Sequence, residues 1–242
     1  MTRRLRALVL QHEDPTPPGH VIEWLEGHGA EIDVYRIDLE DREVDLRDYD
    51  LIVSLGSEFA AFDDSHVFVT REARLMRRAV DEDVPVLGLC FGGQLLARVT
   101  GGEVFRGPDA EIGWLPVRTT DPELVPEGPW FQWHFDVLRP PPGSTVIAET
   151  DLGTQAFVIG RSLGLQFHPE VTPRIMDDWV RAYRHELDAE GVDPDELLEE
   201  TNRRAEESKR TSWRLFERFF DDVARLGDAA GGSRGGDRAA EA

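Results

Sequence analysis

Cys90 is the only cysteine of the chain and lies in Gly88-Leu89-Cys90-Phe91-Gly92-Gly93-Gln94. An apolar run, Val84-Pro85-Val86-Leu87, precedes it, and a helix-like run, Gln94-Leu95-Leu96-Ala97-Arg98, follows. The order strand, tight turn, helix puts the sulfur at the apex, with a glycine two residues away on each side. Gly88 and Gly92 lack Cβ and so relieve the crowding of a sharp turn. A nucleophile elbow has this construction: it exposes one side chain and aims the backbone N–H groups that follow at a single point. The competing reading is a core cysteine that ends a strand, since free cysteine is among the most buried residue types.

A thiol with a pKa of about 8.5 needs a base or a positive neighbour to be a thiolate at neutral pH. Of the seven histidines, His12, His20, His28, His66 and His185 lie in polar stretches and are expected to be solvated. His134 and His168 stand apart. His168 sits in Gly164-Leu165-Gln166-Phe167-His168-Pro169-Glu170, at the carboxyl end of a β-like run. Open α/β folds place their sites there. Residues i and i+2 of an extended segment point the same way, so Glu170 can reach the imidazole and fix its tautomer. Alone, His-Pro-Glu equally suits a structural histidine. Beside the elbow it completes the parts of a Cys–His–Glu triad. Metal binding has no support, because there is no second cysteine and no close histidine pair with ligand spacing.

The elements that must position these groups follow from hydrophobic periodicity. Residues 5–10, 31–37, 51–54 and 84–90 read as strands, with helices over 19–29, 68–81 and 92–100. Strands alternating with helices argue for a parallel sheet wound on both faces. After Gly101-Gly102 the pattern changes to short β-like runs over 111–118, 145–149, 155–159 and 162–167, separated by Pro/Gly turns. This half is expected to be antiparallel or mixed and to pack on the same core. Residues 173–187 read as one helix, and Asp193-Pro194 as the cap and first turn of a last helical stretch. Trp213, Phe216, Phe220 and Val223 form a stripe on that stretch, which suits docking on the chain's own core better than a partner-binding face. The expected division is a domain over 1–190, a helical extension over 191–227 and a disordered tail over 228–242.

The chain has 242 residues, 27 of them basic and 48 acidic, for a net charge of −21. Such a surface repels phosphate backbones, which argues against nucleic acid as a partner. No apolar stretch is long enough to span a bilayer, and the amino terminus reads as a first strand rather than a secretory signal. A single cysteine rules out an internal disulfide and makes a reducing cytoplasm the expected location.

Gly88-x-Cys90-x-Gly92-x-Gln94 followed far downstream by Gln166-x-His168-Pro169-Glu170 resembles the class I (triad) glutamine amidotransferases. Leu55-Gly56-Ser57-Glu58 is similar to that family's oxyanion-strand loop. Glu111-Ile112-Gly113-Trp114, the run from Phe131 to Asp136, and Gln155-Ala156-Phe157 resemble the free-standing members related to the amidotransferase half of GMP synthase. The likeness extends over residues 5–180. It implies a flavodoxin-like α/β fold with a mostly parallel central sheet, helices on both faces and a small antiparallel sheet. It also implies that Cys90 forms a γ-glutamyl thioester, that His168 moves the protons and that Glu170 orients His168. The N–H groups of Phe91 and Gly56 would hold the oxyanion, Gln94 would contact bound glutamine, and Trp133, His134 and Phe135 would hold its α-groups through main-chain atoms. No cofactor is implied.

Ser57 departs from the second glycine usual in this loop, and Phe135 from a common glycine. The substrate expected is therefore glutamine or another γ-glutamyl small molecule, with a γ-glutamyl peptide or amine hydrolase as the alternative. A non-catalytic binding module is the alternative from another class. Neither a phosphate-binding Gly-x-x-x-x-Gly-Lys-[Ser/Thr] loop nor a pyrophosphatase loop is present, so synthetic use of ammonia would require a separate synthetase or ligase partner.

Overall fold

Alternation along the first strand sets the layering. Ala7 and Val9 join one apolar cluster while Leu8 and Leu10 join another, and all four are fully buried. Period-two alternation with both sets apolar is the pattern of a strand covered on both faces. The computed structural model describes residues 4–227. The first half runs β1 (Arg6–Gln11), α1 (Gly19–Gly27), β2 (Glu31–Arg36), β3 (Leu51–Ser54), α2 (Val67–Asp81), β4 (Val86–Leu89) and α3 (Phe91–Val99). The second half adds β5 (Glu103–Leu115), β6 (Arg118–Thr119), β7 (Trp130–Arg139), β8 (Thr145–Glu149), β9 (Thr154–Ile159) and β10 (Ser162–Leu165). It closes with α4 (Pro173–Ala182), α5 (Arg184–Glu190) and α6 (Pro194–Arg218).

Eight strands form one sheet in the order β2-β1-β3-β4-β10-β9-β8-β6. The first five are parallel and the last three continue antiparallel. The parallel part has the flavodoxin-like 2-1-3-4-5 order, with its topological switch between β1 and β3. Its α/β class, mixed sheet and separate antiparallel pair (β5 with β7) are as expected from the sequence. Trp24 of α1 packs on one face with Phe216, Phe219 and Phe220. Phe68 and Met76 of α2 and Leu95 and Leu96 of α3 cover the other. Among the described residues, no helix is long and apolar enough to cross a membrane.

Two expectations change. Strand β7 is not among the runs expected from periodicity, because Trp130 to His134 is buried on both faces and so shows no alternation. The helix expected over 173–187 breaks at Tyr183 (φ −112°, ψ 25°), whose hydroxyl donates to Glu13 Oε2 at 3.2 Å. A tertiary bond of that kind leaves no local signature. The Phe216, Phe220 and Val223 stripe is covered by the chain's own core, partly through a wider turn over Phe219–Val223 that follows α6. The tail expected to be disordered, 228–242, lies outside the described residues.

Candidate active site

Cys90 joins β4 to α3 with φ 49° and ψ −104°, a conformation costly for any residue with a Cβ. Strain of this kind amounts to roughly 1–3 kcal/mol and persists only where the surroundings enforce it. Here the Cys90 N–H donates to Leu165 O at 2.8 Å, tying the elbow to β10. The flanking glycines permit the approach: a Cβ on Gly88 would lie 2.4 Å from Gly92 O, and one on Gly92 would lie 2.2 Å from Ser54 O. Cys90 is only 6% exposed, yet it lines a solvent-open cleft. Gln166 Nε2 lies 3.6 Å from Sγ.

His168 follows β10 and faces the same cleft. Its N–H donates to Phe131 O at 2.8 Å, and its Nδ1 lies 2.7 Å from Glu170 Oε1. The Trp179 ring meets the imidazole edge-on at 4.7 Å. Nε2 is buried and has no hydrogen-bond partner among the described residues. Burial opposes a charge on this ring, but the charges of Glu170 and Cys90 outweigh it and push the His168 pKa up to about 10. The imidazole is therefore held protonated at neutral pH, with a carboxylate behind it and the sulfur in front.

The loop after β3 forms the third wall. Gly92 N donates to Leu55 O at 3.2 Å. A Cβ on Gly56 would stand 2.9 Å from His168 Cε1, so only glycine lets the loop come this close. Ser57 Oγ and the Glu58 N–H both donate to Glu13 Oε1, at 3.0 and 2.7 Å. Burial pushes the Glu13 pKa above the ordinary carboxylate range, against the pull of these donors.

The β7 segment faces the loop across the cleft. His134 turns its side chain aside: Nδ1 lies 3.1 Å from Asp136 O and Nε2 lies 3.0 Å from Glu111 Oε2. Trp133 donates its indole N–H to Glu186 Oε2 at 2.7 Å. Phe135 lines the cleft with the Arg106 guanidinium 4.4 Å over its ring. Gln94 also lines the cleft, but its amide bonds inward, to Gln166 Oε1 at 3.2 Å and Asp136 O at 3.4 Å.

Eight of the ten residues singled out from the sequence therefore line one cleft: Gly56, Ser57, Cys90, Gln94, Trp133, His134, Phe135 and His168. Phe91 and Glu170 stand behind it, 1% and 2% exposed. The reading of His12 and His20 as solvated is corrected: they are 1% and 4% exposed. Polar neighbours mislead in both cases: His12 follows the end of β1 and lies under the 55–58 loop with Nδ1 2.9 Å from Gly56 O, while His20 lies in the first turn of α1 with its backbone N–H donating to Glu170 O. Glu13, Arg106, Trp179, Tyr183 and Glu186 join the site without having been singled out from the sequence. For His12 and Glu13 there is a usable signal, their place at the carboxyl end of a parallel strand; the others are brought in by tertiary packing alone.

The chain is similar to known proteins in sequence and in fold. The family described as glutamine amidotransferase class-I matches residues 20–181. The glutamine-hydrolyzing GMP synthase component of Sulfurisphaera tokodaii is 32% identical over 139 residues, which is 52% of this chain and 70% of that one. The GMP synthase of Aeropyrum pernix is 38% identical over 109 residues, 40% of this chain but 21% of its own length, so this chain spans a minor part of such a protein. A glutamine amidotransferase from Thermotoga maritima superposes with a TM-score of 0.83 at 32% identity, covering 91% of this chain and all of that one. Another from Methylobacillus flagellatus has a TM-score of 0.83 at 26% identity, covering 99% and 100%. The chain belongs to the class-I glutamine amidotransferase family.

Proposed function

We propose that this protein hydrolyses the γ-amide of glutamine through a γ-glutamyl thioester on Cys90. The observation that carries this reading is the row Glu170–His168–Cys90, in which Glu170 sits 2.7 Å behind the imidazole of His168 and a strained elbow presents the sulfur to the same cleft. The Cys90 thiolate attacks the amide carbon, and the C=O electrons become an oxyanion facing the N–H groups of Phe91 and Gly56. Preorganised donors of this kind are usually a large contribution in acyl transfer. The tetrahedral intermediate collapses, the C–N bond breaks, and His168 Nε2 delivers its proton to the departing ammonia. His168 then takes a proton from water, the hydroxide attacks the thioester, and glutamate leaves as Cys90 regains its thiolate.

In this reading residues 1–190 form the amidotransferase unit, and 191–227 are a helical extension docked on it. The Sulfurisphaera tokodaii relative is named as one component of a GMP synthase, which supports delivery of ammonia to a separate synthetase as one fate, with free release as the other. A cytoplasmic setting fits that role. The test is ammonia release from glutamine by the purified chain, alone and with a candidate synthetase, against Cys90→Ser. Wild-type protein with no more ammonia release than Cys90→Ser in both settings would refute the reading.

One observation favours a second reading, hydrolysis of a larger γ-glutamyl amide or peptide. Phe135 and its stacked Arg106 shape the cleft wall, and Glu58 and Glu186 line the same cleft, a setting that suits a leaving group larger and more polar than ammonia. Comparing kcat/KM for glutamine with that for γ-glutamyl amines separates the two: rapid cleavage of the amines beside slow glutaminase activity selects the second.

A further inference from the structure

Beneath the 55–58 loop lies an ionisable pair that the chemistry above does not use. The side chains of His12 and Glu72 are both 0% exposed, and His12 Nε2 is 2.7 Å from Glu72 Oε2. Glu72 occupies the apolar face of α2 along with Phe68, Val69, Leu75 and Met76. A carboxylate in such a place costs several kcal/mol unless it is paired and hydrogen-bonded. Ser54 Oγ donates to its other oxygen at 2.6 Å, so the pairing is complete.

The second ring nitrogen of His12, Nδ1, lies 2.9 Å from Gly56 O. Both nitrogens thus face oxygen acceptors, an arrangement that the imidazolium satisfies with an N–H on each side. Burial disfavours that charge, but the charge and hydrogen bond of Glu72 outweigh it and raise the His12 pKa.

The bond matters because of the residue that receives it. Gly56 must lack a Cβ to pass His168, and a glycine is also the residue whose peptide planes turn most freely. In a trans peptide the C=O and N–H point in opposite directions. Holding Leu55 O through Gly92 N therefore aims the Gly56 N–H, and holding Gly56 O through His12 aims the Ser57 N–H and stops the glycine from turning. Glu13, the next residue in sequence, holds Ser57 Oγ and the Glu58 N–H. Ser57 is thus tied into the same clamp.

We propose that His12, backed by Glu72 and Ser54, is a positioning residue that locks the oxyanion loop through the Gly56 carbonyl. The proposal rests on reading that loop as the oxyanion holder. It does not depend on which γ-glutamyl compound is the substrate.

The test compares two reactions of Cys90 in the full chain. Acylation by p-nitrophenyl acetate, read as a nitrophenolate burst, passes through an oxyanion; alkylation by iodoacetamide does not. His12→Ala is expected to slow the acylation roughly 10- to 100-fold, short of the ~10²- to 10³-fold cost of removing an oxyanion donor outright, and to leave alkylation within about 2-fold. Glu72→Gln, which keeps the volume and loses the charge, is expected to show the same selective loss to a smaller extent. If His12→Ala does not fold, the Glu72→Gln ratio decides by itself. Acylation that stays at the wild-type rate, or acylation and alkylation that fall together, would overturn the proposal. A wild-type protein inert towards glutamine would instead sink the proposed function and leave this comparison standing.

Discussion

Replacing Glu170 by Gln tests whether the carboxylate behind His168 acts by its charge. Glu170 Oε1 lies 2.7 Å from His168 Nδ1, and both groups are buried. With charge centres about 4 Å apart and an effective dielectric constant of about 20, the attraction is about 4 kcal/mol. That corresponds to about 3 pH units at about 1.4 kcal/mol per unit. The sign follows from which form is favoured. A neighbouring carboxylate stabilises the imidazolium, so its removal lowers the His168 pKa from about 10 towards neutrality. In the proposed mechanism the imidazolium protonates the leaving ammonia, so activity is lost as pH rises through that pKa. The alkaline limb of kcat/KM should therefore move down by about 2–3 units in Glu170→Gln. At neutral pH a downward shift of about 2–3 units still leaves half or more of His168 protonated, so kcat should fall far less than for His168→Ala, all the more because the Gln carbonyl can still accept from Nδ1. The assay is ammonia release from glutamine across the pH range. An alkaline limb that stays within about half a unit of wild type would refute the charge argument, and equal losses for Glu170→Gln and His168→Ala would refute the division of roles.

Cys90→Ser should abolish turnover with little change in thermal unfolding, since one atom changes at a site already shaped by its glycines; a large drop in Tm would point to a mainly structural cysteine. Gly56→Ala should lower kcat at least about 10-fold, because its Cβ would stand 2.9 Å from His168 Cε1, and steady-state kinetics would register the loss. Phe216→Ala should cost about 3–5 kcal/mol in urea unfolding, as its ring is 1% exposed and packs against Trp24. A much smaller cost would mean that the end of α6 is not part of the core.

Much of this protein is legible along the chain because the determining physics is local. A cysteine between glycines at a strand–helix junction needs only backbone sterics to be recognised as an elbow, and His168 and Glu170 share a face because an extended chain repeats every two residues. The same periodicity places the strands and helices of the parallel half. It fails at β7, where Trp130 to His134 is buried on both faces and alternation vanishes, and at Tyr183, where the helix breaks at a residue whose hydroxyl bonds to Glu13, 170 residues away.

What tertiary structure alone decided is the environment of the reacting groups. Glu170 is a neighbour of His168 along the chain, but folding brings Cys90 to the ring, and the two charges together hold His168 protonated against its burial. His12 reads as a surface residue until the sheet order puts β1 beside β3 and α2 closes over both, after which its ring nitrogens meet Glu72 and the Gly56 carbonyl. Residue types and short spacings specify which groups can react. Charge, desolvation and hydrogen-bond direction depend on groups that become neighbours only when the chain is folded, and so the disposition of the site was settled there.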